Sequence, residues 1–172
     1  MVDNFFFIIW NISIILEYFL ITKMFINVHT YYSLRYGTIK PKDLLELAEG
    51  FHIRCLALTD INNTSACLNF VRLAPTYNIR PILGVDFRNG ALQQFIMLAQ
   101  NNQGFQYINS YLSSFLHTNK KIPEHAKHLP DTFTIYPFAS FKEETLLENE
   151  YLGVTAEDLN RLKFSPWKHR QE

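Results

Sequence analysis

Asn27-Val28-His29-Thr30-Tyr31-Tyr32-Ser33, with Ala57-Leu58-Thr59-Asp60 further along, decides how this chain is read. In each, a short β-prone apolar run stops abruptly at polar side chains able to hold a metal. Phe25, Ile26 and Val28 lead to His29; Cys55, Leu56, Ala57 and Leu58 lead to Thr59 and Asp60. Between them Pro41 suits the first turn of a helix, Leu44, Leu45, Leu47 and Ala48 supply its apolar face, and Gly50 can close it with a left-handed cap. Strand, helix and strand make the two runs parallel neighbours with their polar ends on one rim. Ligand and catalytic groups gather at that carboxyl-end rim in barrels and open α/β sheets. Two ordinary buried strands followed by polar loops would show the same pattern.

The alternation continues. Asp60-Ile61-Asn62-Asn63 is a turn-forming loop, and Thr64 can cap a second helix carrying Leu68, Val71 and Leu73, with Pro75 near its end. Ile79 to Phe87 reads as a third strand ending at Asp86, Arg88-Asn89-Gly90 as a turn, and Phe95 to Ala99 as a fourth strand. Asn102 to Thr118 is helical, with Phe105, Ile108, Leu112 and Phe115 on one face. His125 and His128 have a spacing that would suit a metal on a helix, but Pro123 and Pro130 bracket them, so they read as solvated loop histidines. Phe133 to Tyr136 and Tyr151 to Val154 are further short strands, and Thr155 starts a last helix with Glu157 and Asp158 in its first turn.

Bulk properties set only loose limits. A chain of 172 residues fits one domain with a substantial core. Sixteen basic residues balance sixteen acidic ones, so the overall charge calls for neither a nucleic-acid nor an anionic-membrane surface. Cys55 and Cys67 lack Cys-x-x-Cys spacing and read as inert thiols of a reduced, cytoplasmic protein. Residues 1–23 differ from the rest: Phe5 to Trp10 and Ile12 to Tyr18 are apolar, interrupted by Asn11, Ser13 and Glu17. A spanning helix needs about 20 apolar residues, and Glu17 near the middle would cost about 2.5–3.5 kcal/mol. No Lys or Arg precedes the run, as a secretory signal would require. We read 1–23 as an apolar extension outside the fold, upstream sequence before a working start at Met24, with no membrane partner; a membrane anchor and a docked helix are the other readings.

At this point a family is recognisable. Asn27-Val28-His29-Thr30-Tyr31-Tyr32-Ser33-Leu34 with Gly37, then Ala57-Leu58-Thr59-Asp60, then Arg80-Pro81-Ile82-Leu83-Gly84-Val85-Asp86-Phe87, resembles the polymerase-and-histidinol-phosphatase (PHP) domain. The likeness is to the form at the amino terminus of the bacterial DNA polymerase III alpha subunit, and Ala99 to Phe105 resembles that form too. Tyr32 to Gly37, Thr59 to Asn63 and Phe87 to Gly90 look like the Bacteroidetes variant. The resemblance runs from Met24 nearly to the end and implies a distorted (βα)7 TIM-like barrel, here incomplete. A barrel of about seven strands is implied and only about six candidates are visible, so 24–172 is expected to be a partial PHP domain, from an interrupted gene or a partial reading of a longer one. Unpaired strand edges would then invite aggregation.

The resemblance also implies a metal site. Active members hold several divalent ions through a His-x-His pair on the first strand, an Asp-His step after the second and a Glu after the third, with later His and Asp ligands. Here the pair reads Asn27-x-His29, the step reads Asp60-Ile61, Asp86 stands where Glu is usual, and Tyr36 replaces an acid before Gly37. Losing even a group that only supports a ligand costs about 10–100-fold in affinity, and here ligands themselves are altered. His29, Asp60 and Asp86 are therefore expected to be a vestigial site holding at most one weakly bound Zn, Mn or Mg ion, with no catalytic residue and no cofactor. The function implied is a non-catalytic scaffold: a module bound to the remainder of the polymerase alpha subunit, with a proofreading exonuclease subunit as a candidate further partner, and meeting DNA only through the full polymerase. Polymerisation itself needs carboxylates holding two metals about 4 Å apart, and no Asp-x-Asp pair occurs. The alternative is a free-standing metal-dependent PHP phosphoesterase.

Overall fold

Successive side chains of an extended run go to opposite faces of a sheet, and this chain fills both faces with apolar groups. A computed structural model describes residues 24–142 and 145–169; the apolar extension 1–23 lies outside the described residues. Strands β1 (Met24–Val28), β2 (Cys55–Leu58), β3 (Arg80–Asn89), β4 (Leu92–Ala99), β5 (Thr132–Pro137) and β6 (Glu150–Gly153) form one six-stranded sheet in sequence order. The pairs β1–β2, β2–β3 and β5–β6 are parallel; β3–β4 and β4–β5 are antiparallel. Parallel neighbours need crossovers, which α1 (Pro41–Gly50) supplies between β1 and β2 and α2 (Cys67–Leu73) between β2 and β3. The β3–β4 hairpin turns at Gly90, whose φ of 63° is a left-handed value that glycine adopts without strain.

One face of the sheet carries the helices. Leu56 and Leu58 of β2 pack with Leu45 of α1 and Phe70 of α2. Farther along, Val85, Phe87, Phe95 and Met97 pack with Ile108 and Leu112 of α3 (Asn102–Thr118). A fully buried Leu or Phe contributes about 1.5–3 kcal/mol over an exposed one, so these clusters are the main adhesive of the fold. The alternate residues Ile26, Ala57, Ile96, Leu98 and Ile135 face the other way and form a separate apolar cluster. Of these, Ile26, Leu98 and Ile135 line a groove of about 600 Å³. The result is the expected α/β architecture, a mixed sheet curved into half a barrel with helices on one face.

Several local expectations are corrected. Helix α1 runs through Gly50, and the left-handed residue is His52, at φ 58°. Thr64 does not cap α2; that helix starts at Cys67 after Ala66, and the Thr64 hydroxyl donates to Asn109 Oδ1 of α3 at 2.9 Å. Its buried residues are Cys67 and Phe70, while Leu68 is 80% exposed. Two apolar stripes compete on that helix, and the one carrying the larger phenylalanine faces inward. Strand β3 continues past Asp86 to Asn89 instead of ending there. The last helix opens with a 3-10 turn, Ala156–Asp158, before α4 (Leu159–Lys163), and the Thr155 N–H and hydroxyl both donate to Asp158 Oδ2, at 3.2 and 2.7 Å.

Candidate functional site

The carboxyl ends of β1, β2 and β3 bring the motif residues to one rim. Where β1 and β2 leave the sheet they are clipped together: Thr59 N–H donates to Val28 O at 2.9 Å and Val28 N–H to Thr59 Oγ1 at 3.1 Å. The Thr59 hydroxyl is 2.8 Å from Asn27 Oδ1 and donates to it. Asn27, at a position where the family resemblance implied a histidine ligand, therefore joins two strand ends.

Asp60 is buried and its carboxylate is fully engaged. Oδ1 accepts from Thr30 N–H at 2.6 Å and from the Ser33 hydroxyl at 2.7 Å; Oδ2 accepts from the Thr30 hydroxyl at 2.7 Å. Ser33 Oγ in turn accepts from Ile61 N–H at 2.9 Å. One carboxylate thus gathers the loop after β1 onto the loop after β2. The same loop passes so close to itself at Gly37 that a Cβ there would run into the Thr30 carbonyl oxygen.

His29 and Asp86 meet each other instead. His29 Nε2 lies 3.1 Å from Asp86 Oδ2, which also accepts from Arg88 Nε at 2.9 Å, Arg88 Nη2 at 2.7 Å and Gln93 Nε2 at 2.9 Å. The Asp86 side chain is 0% exposed and that of Arg88 10%. Because β3 continues beyond Asp86, Arg88 lies two residues on along the same strand, and a bulge between Phe87 and Arg88 adjusts its aim. The Tyr36 ring lies 5.0 Å from the Arg88 guanidinium carbon, a cation–π stack. Burial alone disfavours the charged guanidinium, but the hydrogen bonds and charge of Asp86, with help from Tyr36, outweigh it and raise its pKa. Sequence reading missed Arg88 by assigning it to a turn; an Asp-x-Arg step inside a strand was the available signal.

The loop histidines and the thiols lie elsewhere. His125 and His128 are exposed in the loop before β5, and His125 packs against the Tyr136 and Phe141 rings. Burial, with the negative charge of Asp60 adding to it, pushes the Cys67 thiol up to about 12. A thiol protonated throughout the neutral range is a poor nucleophile.

A multinuclear divalent centre needs several anionic or imidazole donors free to replace water on each ion. Both oxygens of Asp60 are occupied, Asp86 Oδ2 sits in the Arg88 fork, and Ile61 offers no donor. Among the described residues there is no group of three or more His, Cys, Asp or Glu that could hold a metal ion. Asp86 Oδ1 is buried with no hydrogen-bond partner among those residues. A single open oxygen beside a fixed guanidinium does not fit a multinuclear metal centre.

Comparison with known proteins agrees with the motifs. The PHP domain family model matches residues 26–156. Over 105 residues, 55% of this chain, it is 28% identical to DNA polymerase III subunit alpha of Buchnera aphidicola, of which that covers 9%. To the same subunit of Ureaplasma parvum it is 34% identical over 98 residues, covering 56% of this chain and 10% of that protein. The chain thus spans about a tenth of the length of these curated relatives. Among solved structures, an amidohydrolase from Chromobacterium violaceum aligns with TM-score 0.45 and 19% identity, over 56% of this chain and 34% of its own. A protein proposed to be a metal-dependent phosphoesterase from Bifidobacterium adolescentis aligns with TM-score 0.42 and 22% identity, over 53% and 32%. With the matched segment running from β1 to the turn before α4, this chain belongs to the PHP domain family.

Proposed function

We propose that residues 24–172 are a non-catalytic PHP module of a replicative polymerase of the DNA polymerase III alpha type, acting as a scaffold for the rest of that subunit. The supporting observation is the internal use of the rim's acids: Asp60 is committed to Thr30 and Ser33, and Asp86 to Arg88, Gln93 and His29. An oxygen already crowded by protein donors has less capacity left for a divalent ion, and an adjacent guanidinium opposes one. His29, Asp60 and Asp86 are on this reading a vestigial metal site, with one weakly bound divalent ion its upper limit. The module acts in the cytoplasm, where its partners are the polymerase body and a proofreading exonuclease subunit; DNA reaches it through the complete polymerase.

The alternative is a free-standing metal-dependent phosphoesterase, and the unpartnered Asp86 Oδ1 is the one feature that favours it. One experiment separates the two. The purified chain is incubated with manganese or zinc and a generic phosphoester, and in parallel is used to capture polymerase and exonuclease subunits. Co-purification with those subunits and no metal-dependent turnover is expected. Turnover that disappears in His29→Ala would overturn the scaffold reading.

A further inference from the structure

We infer that the Arg88 guanidinium is the resident cation of this rim, balancing the buried Asp86 carboxylate at the place where a metal-binding relative would use an ion. The inference deepens the non-catalytic reading and rests on it. A carboxylate removed from water persists only beside a counter-charge and donors. Arg88 supplies both: Nε and Nη2 converge on Asp86 Oδ2 at 2.9 and 2.7 Å. The planar fork and aromatic stacking are features of arginine that lysine does not reproduce.

Arg88 is also held from its backbone. Its N–H donates to Asn62 Oδ1 at 3.0 Å, and Asn62 Nδ2 donates to Arg88 O at 2.7 Å. Asn62 sits in the loop after β2 at a left-handed φ of 47°, a conformation that asparagine tolerates better than most residues. Tyr36 closes the guanidinium from the loop after β1. Strand β3 and the loops after β1 and β2 therefore converge to fix one positive charge, with Asn62 and Tyr36 supporting the Asp86 pair. A divalent ion approaching Asp86 would meet that charge at contact range. The rim has kept its electrostatic balance while changing the bearer of the positive charge.

The test is chemical rescue of thermal stability in the whole chain. Arg88→Ala is expected to lower Tm by about 10 °C, the consequence of stranding a buried carboxylate in a domain of this size. Millimolar methylguanidinium should recover at least half of that loss, whereas methylurea, neutral and of similar shape, should not. Micromolar manganese, too dilute to fill a weak site, should leave wild-type Tm unchanged. Equal effects of the two additives, a negligible loss in Arg88→Ala, or a manganese shift in the wild type would each overturn the proposal. If Arg88→Ala does not fold, Arg88→Gln is compared with the double variant Asp86→Asn/Arg88→Gln. The double should be the more stable of the two, and a double variant no more stable than Arg88→Gln would also overturn it. Hydrolysis is assayed on the same samples. Failed rescue without turnover defeats the resident cation alone, and metal-dependent turnover with rescue intact defeats the non-catalytic reading alone.

Discussion

Three donors from the loop after β1 end on the single carboxylate of Asp60. Hydrogen bonds to a charged group contribute about 1.5–3 kcal/mol each, and a buried donor left unpaired costs about 1–3 kcal/mol. Asp60→Ala should therefore destabilise the domain by about 3–5 kcal/mol. Asp60→Asn should cost less, about 1–2 kcal/mol, because one amide oxygen can keep Thr30 N–H and Ser33 while the Thr30 hydroxyl rotates to accept. Urea titration with unchanged slope would read both values, and equal costs for the two variants would show that Asp60 acts through charge alone. At this scale the sequence was legible where a residue's partner is named by its neighbourhood. His29, Asp60 and Asp86 were found because each comes after an apolar run in the sequence and falls in a motif that resembles the family's. Arg88 was not, since Arg-Asn-Gly reads as a turn and only the strand's extra length brings its side chain alongside Asp86.

The two helical glycines at positions 50 and 104 separate local preference from packing. Alanine gains about 1 kcal/mol over glycine inside a helix. At Gly50 in α1 an added Cβ meets nothing within 4 Å, so Gly50→Ala should stabilise by about 0.4–1 kcal/mol. At Gly104 in α3 the same atom would run into the Asp131 carbonyl oxygen at the entry to β5. Overpacking costs about 1–3 kcal/mol, and a backbone oxygen gives way poorly, so Gly104→Ala should destabilise. Paired thermal melts should show opposite signs, and two shifts of the same sign would contradict the packing described. Helix α3 was readable to its ends because its apolar spacing and its cap agree, Asn101 Oδ1 accepting from Gly104 N–H at 3.0 Å. Helix α2 was not, because Leu68, Val71 and Leu73 form a periodic stripe as plausible as the Cys67 and Phe70 one. Which stripe faces inward depends on the sheet beneath, information that no window of a single helix contains.

At the scale of the molecule, β1 and β6 are the outermost strands of the sheet among the described residues, and the apolar groove beneath the sheet is lined by Ile26, Leu98, Phe133, Ile135 and Tyr151. Unpaired strand edges and contiguous apolar surface both favour association. At high concentration the isolated chain should elute as a polydisperse species in light-scattering chromatography and bind a hydrophobic dye, whereas a monodisperse monomer that leaves the dye dark would refute this. Strand count and the alternation with helices were legible, because each strand is short, apolar and bounded by turn residues. The change from parallel to antiparallel pairing after β3 was not, since it depends on one hairpin closing at Gly90 and on how α3 then returns the chain to β4. That same strand order has a consequence for synthesis. Among the described residues each strand hydrogen-bonds to its immediate predecessor and successor in the chain, so on a ribosome each emerging segment would find its template already extruded. Assembly can proceed vectorially, with few long loops to close at a late stage. Nascent chains stalled at successive lengths should gain amide protection one ribbon at a time, starting from the β1–β2 pair.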